Sequence, residues 1–307
     1  TVTDGIFIGH FAGSDALAAS NIVYPAINLV LGLAIMFSAG GSALVAKNLG
    51  EGRFKEARSR FSLLTVTTSA LAGLFALLIF LAGDELLVLL GSSPALLADC
   101  RSYLYALLPF YPFAALMILF NAFFIADGRP TQGFIVSVLA GLTNAVLDYV
   151  FLAHLGLGIT GAGLATGMAD LLAAGIGLYY FTCSSRLLRF TRPVFELHAL
   201  GQVAYNGSSE LVTQISVGIT TFLFNIITFR YAGADGVAAI SVILYAEMLL
   251  TAVYMGFIDG VAPIFSYHFG ARAFQELLRL IKMSLAVITG FAILSFGLAH
   301  ILAHPLI

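Results

Sequence analysis

Asp148 stands where an acid is expensive. It lies in Leu142-Thr143-Asn144-Ala145-Val146-Leu147-Asp148-Tyr149-Val150-Phe151, an apolar stretch, and an Asp at the middle of a membrane helix costs roughly 2.5 to 3.5 kcal/mol on insertion scales. Such a residue faces a bundle interior and needs a reason to be there. Asn144 sits one helical turn earlier on the same face, so the two make an oxygen-rich patch. In the next stretch, Gly161-Ala162-Gly163-Leu164-Ala165-Thr166-Gly167, Thr166 can add a hydroxyl. Gly163 and Gly167 form a small-residue face that lets a neighbouring helix come close. Asp4, near the end of the first apolar stretch, is a second candidate acid. Carboxylate, amide and hydroxyl oxygens suit a hard cation such as Na⁺, and a carboxylate surrounded by oil can hold a proton near neutral pH. Either would tie ion flow to a change of state. The bland alternative is a hydrogen bond to a neighbouring helix, or, for Asp4, a place at the interface. Asp170, one turn after Thr166, reads as a network member or a structural partner. Glu210 with Asn206 one turn before it, and Glu247 and Asp259 further along, are weaker signals of the same kind.

Other chemistries find no support. Gly156-Leu157-Gly158-Ile159-Thr160-Gly161 fits G-x-G-x-x-G, but it joins two apolar helices with no preceding strand, so no dinucleotide site is read there. Asn206-Gly207-Ser208 fits a glycosylation acceptor at the cytoplasmic end of a span, where glycan is not attached. No metalloprotease, P-loop or nucleophile-elbow pattern occurs, and an intramembrane enzyme is not expected. Cys100 and Cys183 stand far apart in apolar stretches and read as packing residues. No cofactor is expected beyond the coupling ion.

The elements that must position these groups follow from composition. Of 307 residues 60% are hydrophobic and 10% charged, against roughly 25% charged in soluble domains. The net charge of −2 leaves no basic face for nucleic acid. Charge-free runs of about 20 residues recur, the length needed to cross hydrocarbon. They predict a partial first span ending near Ile8, then spans at about 21–46, 61–83, 102–126, 133–153, 161–183, 203–230, 237–265 and 281–303. Twelve of the 14 basic residues, among them Lys47, Arg58, Arg129, Arg186, Arg189, Arg192 and Arg279, fall in or beside alternate connections, and only Arg101 and Arg230 flank the others. The basic connections are therefore cytoplasmic. Asp84–Asp99, apolar but too short to span, is expected as a connector along the outer interface, broken at Ser92-Ser93-Pro94. Pro25, Pro109, Pro112 and Pro263 fall inside spans and permit kinks.

Sliding the chain against itself by about 220 positions places Ala12-Gly13-Ser14-Asp15 on Ala232-Gly233-Ala234-Asp235, Phe37 on Phe257, Gly40 on Gly260, Gly50 on Gly270, Phe54 on Phe274 and Glu56 on Glu276. Loop Gly, Phe and Glu travelling in one register indicate a duplicated unit. Six spans separate the copies, so both have the same sidedness. The expectation is an all-α polytopic membrane protein of two pseudo-symmetric six-helix lobes in a parallel repeat. Residues 1–185 form the amino-terminal lobe, 186–200 a cytoplasmic linker, and 201–307 an incomplete carboxy-terminal lobe of three spans. The chain opens at Thr1 as though partway through a helix and reads as a fragment, truncated at both ends.

Asp4-Gly5-Ile6-Phe7-Ile8-Gly9-His10 with Ala16-Leu17-Ala18-Ala19, Asn144 with Asp148, Gly161 to Thr166, and Asn206-Gly207-Ser208-Ser209-Glu210 resemble the first, fifth, sixth and seventh spans of multidrug and toxic compound extrusion (MATE) transporters, in the family's order and spacing. The resemblance implies twelve helices in two lobes and a secondary active antiporter in the cell (inner) membrane. It would exchange inward Na⁺ or H⁺ for amphipathic, cationic drugs or toxic metabolites and is expected to be a monomer among membrane lipid. It also implies that Asp4, Asn144, Asp148 and Thr166 form the cation-coupling site, ligating Na⁺ where Na⁺ is the coupling ion, and that Glu210 matches a seventh-span acid. A flippase for lipid or lipid-linked precursors, of related fold, is the alternative.

Overall fold

The computed structural model describes the backbone over residues 2–306, and side chains over that range except at 2, 217–219, 221–222, 224–226, 228–249, 298–299 and 301–306. In hydrocarbon the peptide groups of an apolar run must bond within the segment, which favours helix, and the elements are helical throughout. They are α1 (Val2–Phe7), α2 (Ser14–Gly50), α3 (Phe54–Leu89), α4 (Leu97–Leu107), α5 (Tyr111–Ala126), α6 (Pro130–Asp148), α7 (Gly158–Tyr179), α8 (Leu197–Gly270) and α9 (Phe274–Leu306). Single π-helical turns follow α1 at Ile8–Ala12, α6 at Tyr149–His154 and α7 at Tyr180–Ser184. Among the described residues seven stretches are long and apolar enough to cross a membrane: α2, α3, α4 with α5, α6, α7, Leu250–Gly270 of α8, and Phe274–Gly297 of α9.

The first helix runs beyond its expected end near Ile8, because the π turn carries the backbone on to Ala12 before Gly13 breaks it at φ 94°. Helices α2 and α3 also overrun the expected spans, since hydropathy marks the oil-soluble part of a helix and not its ends. Helix α3 bends at Gly83 (φ 52°, ψ −135°), a left-handed position open to glycine, and continues to Leu89. Pro109 occupies a short 3₁₀ turn between α4 and α5, and Pro112 lies in the first turn of α5, where its missing N–H costs nothing. The turn expected at Ala232–Asp235, dividing α8 into two spans, is not found: α8 is a single helix from Leu197 to Gly270. Cys100 packs as expected, buried against the Ala19 carbonyl, whereas Cys183 is exposed. The π turn ending the span brings it to the surface.

By packing, the chain forms two compact units: Thr1–Val45 with Phe54–Leu211, and Ala46–Arg53 with Val212–Ile307. The linker 186–200 thus goes with the first unit, as does the start of α8. In the first unit α7 packs on α4, α5 and α6, and α3 packs on α5. Glycine makes this possible: a Cβ on Gly163 would meet Ala106 and the Tyr103 carbonyl at 2.9 and 3.1 Å, and one on Gly167 would overlap the Phe110 ring. Likewise Gly40 of α2 abuts the Val203 carbonyl of α8, and Gly207 abuts that of Met36. One end of the bundle closes on Phe61, Phe120, Phe123, Phe124 and Phe181, all buried, with the Phe61 and Phe181 centroids 4.8 Å apart.

In the second unit two short connections have the same construction. Glu51, Gly52 and Arg53 donate backbone N–H bonds to Lys47, Leu49 and Asn48, while Ala271, Arg272 and Ala273 donate to Tyr267, Phe269 and His268. The central residue is left-handed in both, Gly52 at φ 76° and Arg272 at φ 55°. A Cβ on Gly50 would overlap the Tyr267 carbonyl, and one on Gly270 would overlap that of Lys47. The two loops therefore touch reciprocally, each through the residue that the 220-position register equates with the other's.

Candidate functional site

Helix α6 ends at Asp148 and α1 carries Asp4 one turn before its own end. A π turn follows each helix, and the two π turns pack against each other, with Phe11 edge-on to Tyr149 at 6.5 Å. A π turn inserts one residue per turn and redirects the side chains around it. Asp148 has no exposed surface, and Asp4 and Asn144 are 6% and 7% exposed.

The Asp4 carboxyl stands beside that of Asp148, within hydrogen-bonding reach, yet neither Asp148 oxygen receives a donor. The two facts agree, because two ionised carboxylates cannot bond each other, whereas a proton or a cation held between two such groups would join them. One turn below, Asn144 Nδ2 donates to Thr166 Oγ1 of α7 at 3.3 Å, leaving the amide oxygen of Asn144 and the hydroxyl proton of Thr166 out of that bond. Asp170, half-buried on α7, lies in the electrostatic field of Asp4. The expected residues of α1, α6 and α7 are therefore neighbours. Asn206 is exposed and Glu210 half-buried, both on α8. Asp259 lies further along α8, and Glu247 is outside the described residues.

Tyr103 of α4, which no sequence motif marks, also belongs to this neighbourhood. It is 8% exposed and lies in the field of both Asp4 and Asp148, brought there by the Gly163 contact that draws α4 onto α7. A phenol offers an oxygen or a proton with little charge of its own. The donor set fits a small hard cation: two carboxylates, an amide oxygen and hydroxyls, with no soft ligand. Among the described residues, no group of three or more His, Cys, Asp or Glu is arranged to hold a metal ion, so a cation here would depend on the amide and hydroxyl oxygens as well as the acids.

A second buried acid escapes sequence reasoning altogether. Asp127, after α5, accepts bonds from Tyr180 Oη at 2.6 Å, Ser185 Oγ at 2.9 Å, and the N–H groups of Leu187 and Leu188 at 3.1 and 2.8 Å. Its only signal is an acid in a connection otherwise basic. Its partners lie about 60 residues away in sequence.

Residues 1–150 match the MatE family model. The chain is 24% identical over 290 residues to the multidrug export protein MepA of Staphylococcus aureus strain NCTC 8325, and 23% identical over 288 residues to MepA of Staphylococcus saprophyticus. These alignments cover 92% of this chain and 63% of each relative, so the chain spans under two thirds of the length of the proteins it matches. Two solved structures share its fold. One is a MATE in complex with MaD5, at TM-score 0.92 and 20% identity over 98% of this chain and 69% of the other. The other is a multidrug resistance MATE family transporter of the MOP superfamily in an outward-facing conformation, at TM-score 0.89 and 19% identity over 99% and 68%.

Proposed function

Because residues 1–150 match the MatE family model and the chain is similar over most of its length to multidrug export proteins, we propose that it is a MATE-type multi-pass membrane transporter, not an enzyme, and works in cation-coupled export, with its coupling site at Asp4 and Asp148. The observation that carries this is Asp148, a fully buried carboxylate with neither oxygen given a donor and a second acid beside it. Two negative charges side by side in a low dielectric repel strongly. Loading one positive ion removes that repulsion and draws α1 and α6 together; unloading restores it. Asn144, Thr166 and Tyr103 complete an oxygen shell that Na⁺ can use, and the same acids can share a proton. Asp170 lies close enough to tune the site. Asn206 and Glu210 on α8 are assigned a secondary part.

The reciprocal contact of the Gly50 and Gly270 loops, with matching hydrogen bonds and left-handed residues, supports two lobes in a parallel repeat. In transporters built from such repeats, alternating access comes from rocking one repeat against the other. The exported compounds are amphipathic cations, by analogy with the multidrug exporters that the chain resembles.

The test is efflux of a cationic dye from vesicles carrying the protein, under an inward Na⁺ gradient or an inward proton gradient in turn. Wild type is expected to respond to one of them, and Asp148→Asn to neither, with membrane insertion unchanged. Gradient-driven efflux by Asp148→Asn at the wild-type rate would end the proposal.

A further inference from the structure

The linker is neither slack nor neutral. From Ser185 to Glu196 it is pinned along its length: Ser185, Leu187 and Leu188 to Asp127, the Leu187 carbonyl to Arg58 Nε at 2.8 Å, Thr191 N–H to Ser62 Oγ at 2.9 Å, Val194 N–H to Ser59 Oγ at 3.1 Å, and Glu196 to Arg60 at 3.2 Å. Leu188 is fully buried, and Phe190 stacks on Phe61 with centroids 5.0 Å apart. The strap begins one residue after the span that closes at Ser184 and ends where α8 begins. It therefore lies at the edge of the bundle on the side where the basic connections fall.

Its pinning uses neutral donors on Asp127, and its one acid, Glu196, is taken by Arg60 of α3. Its own arginines are left over. Arg186, Arg189 and Arg192 are exposed, and among the described residues none of them forms an ion pair. Arg189 spends only its Nε, on the Ser185 carbonyl. Arg129 joins them, for it and Arg186 act together on Tyr180. Beside the arginines stand bare apolar side chains, Val194 at 58%, Phe195 at 73% and Leu197 at 73% exposed. Apolar groups beside unneutralised guanidinium groups at the end of a span match the boundary between acyl chains and phosphates. Guanidinium also binds phosphate through two parallel hydrogen bonds.

We propose that the Ser185–Glu196 strap is a binding surface for anionic phospholipid headgroups of the cytoplasmic leaflet. Arg186, Arg189 and Arg192 hold the phosphates, and Val194, Phe195 and Leu197 are seated among the acyl chains. The rigid pinning holds the arginines in place, which lowers the entropy lost when a headgroup binds. The proposal is independent of the coupling site.

The protein would be reconstituted in nanodiscs of phosphatidylcholine doped with phosphatidylglycerol, and its retained lipid read by native mass spectrometry. Wild type is expected to enrich phosphatidylglycerol. The variant Arg186→Gln/Arg189→Gln/Arg192→Gln should lose that preference by about fivefold per arginine, with unchanged melting temperature. A control neutralising the same number of charges elsewhere, Arg272→Gln/Arg279→Gln/Lys282→Gln, should keep it. Equal loss in both variants would mean diffuse charge and overturn the proposal, as would retention of the preference by the strap variant. Displacement of the bound lipid by inorganic phosphate at matched ionic strength would make the strap an anion site and also sink it. Should the strap variant melt early, Phe195→Ser, which removes no hydrogen bond or charge, is expected to weaken retention at wild-type stability; unaltered retention would count against the surface.

Discussion

At the residue scale, Asp148 and Asn144 ask for different experiments. Among the described residues neither Asp148 oxygen receives a donor, so its charge is either neutralised by a proton or cation or carried at a large cost. Asn144 has a structural bond to Thr166 as well as the place in the oxygen shell that we propose for it. Truncating Asn144→Ala should cost about 1 kcal/mol of stability for that bond and weaken apparent cation affinity several-fold, read as the ion-dependent rise in melting temperature. A stability loss with unchanged ion affinity would make Asn144 structural only. Backbone conformation gives a prediction of another kind. Gly52 and Arg272 hold the same left-handed position in equivalent loops, and a side chain there costs roughly 1–2 kcal/mol. Gly52→Ala should therefore lower the melting temperature, and Arg272→Gly should leave it level or raise it. The opposite order would show that the Arg272 side chain makes contacts outweighing its strain.

At the element scale, α2 and α8 meet backbone to backbone at Gly50 and Gly270, which leave no room for a Cβ. Gly50→Leu and Gly270→Leu should each destabilise by about 1–3 kcal/mol and to similar extents, since each glycine meets the carbonyl three residues before the other. Unequal losses in thermal unfolding would deny the equivalence of the two loops. The equivalence was legible in the sequence, where Gly, Phe and Glu repeat 220 residues apart, as were the spans, written in runs without charge. The buried acids Asp4 and Asp148 were legible for the same reason: an Asp in oil stands out. Tyr103 did not, because a tyrosine in an apolar run is ordinary and only the approach of α4 to α7 places it beside the acids. Asp127 was illegible for a stronger reason. An acid before Gly128 reads as the end of a helix, and nothing local announces that Ser185, Leu187 and Leu188 will return to bury it. Asp127→Ala would leave those donors without an acceptor, so the strap should loosen and protease should cut within 185–196 sooner than in wild type. An unchanged cleavage rate would show that the Phe190 stack and the α3 contacts hold the strap alone.

At the scale of the whole molecule, the antiport proposed above imposes a condition that no single residue states. Ion and exported compound must favour different states of the protein, or the ion gradient does no work on the compound. A coupling free energy between two sites is reciprocal. If the cation weakens drug binding by some factor, the drug must weaken cation binding by the same factor, typically about 5- to 150-fold. Both can be measured by calorimetry on the reconstituted protein, titrating a cationic dye with and without the coupling ion and then the ion with and without the dye. Wild type is expected to give two equal factors well above one. In Asp148→Asn the amide removes the repulsion that the ion relieves, so dye affinity should lose its dependence on the ion. Dye binding need not suffer, because that carboxylate acts through the state of α1 and α6. If dye affinity collapses while the ion's influence survives, Asp148 is a drug ligand and coupling must be sought elsewhere, first at Glu210 of α8.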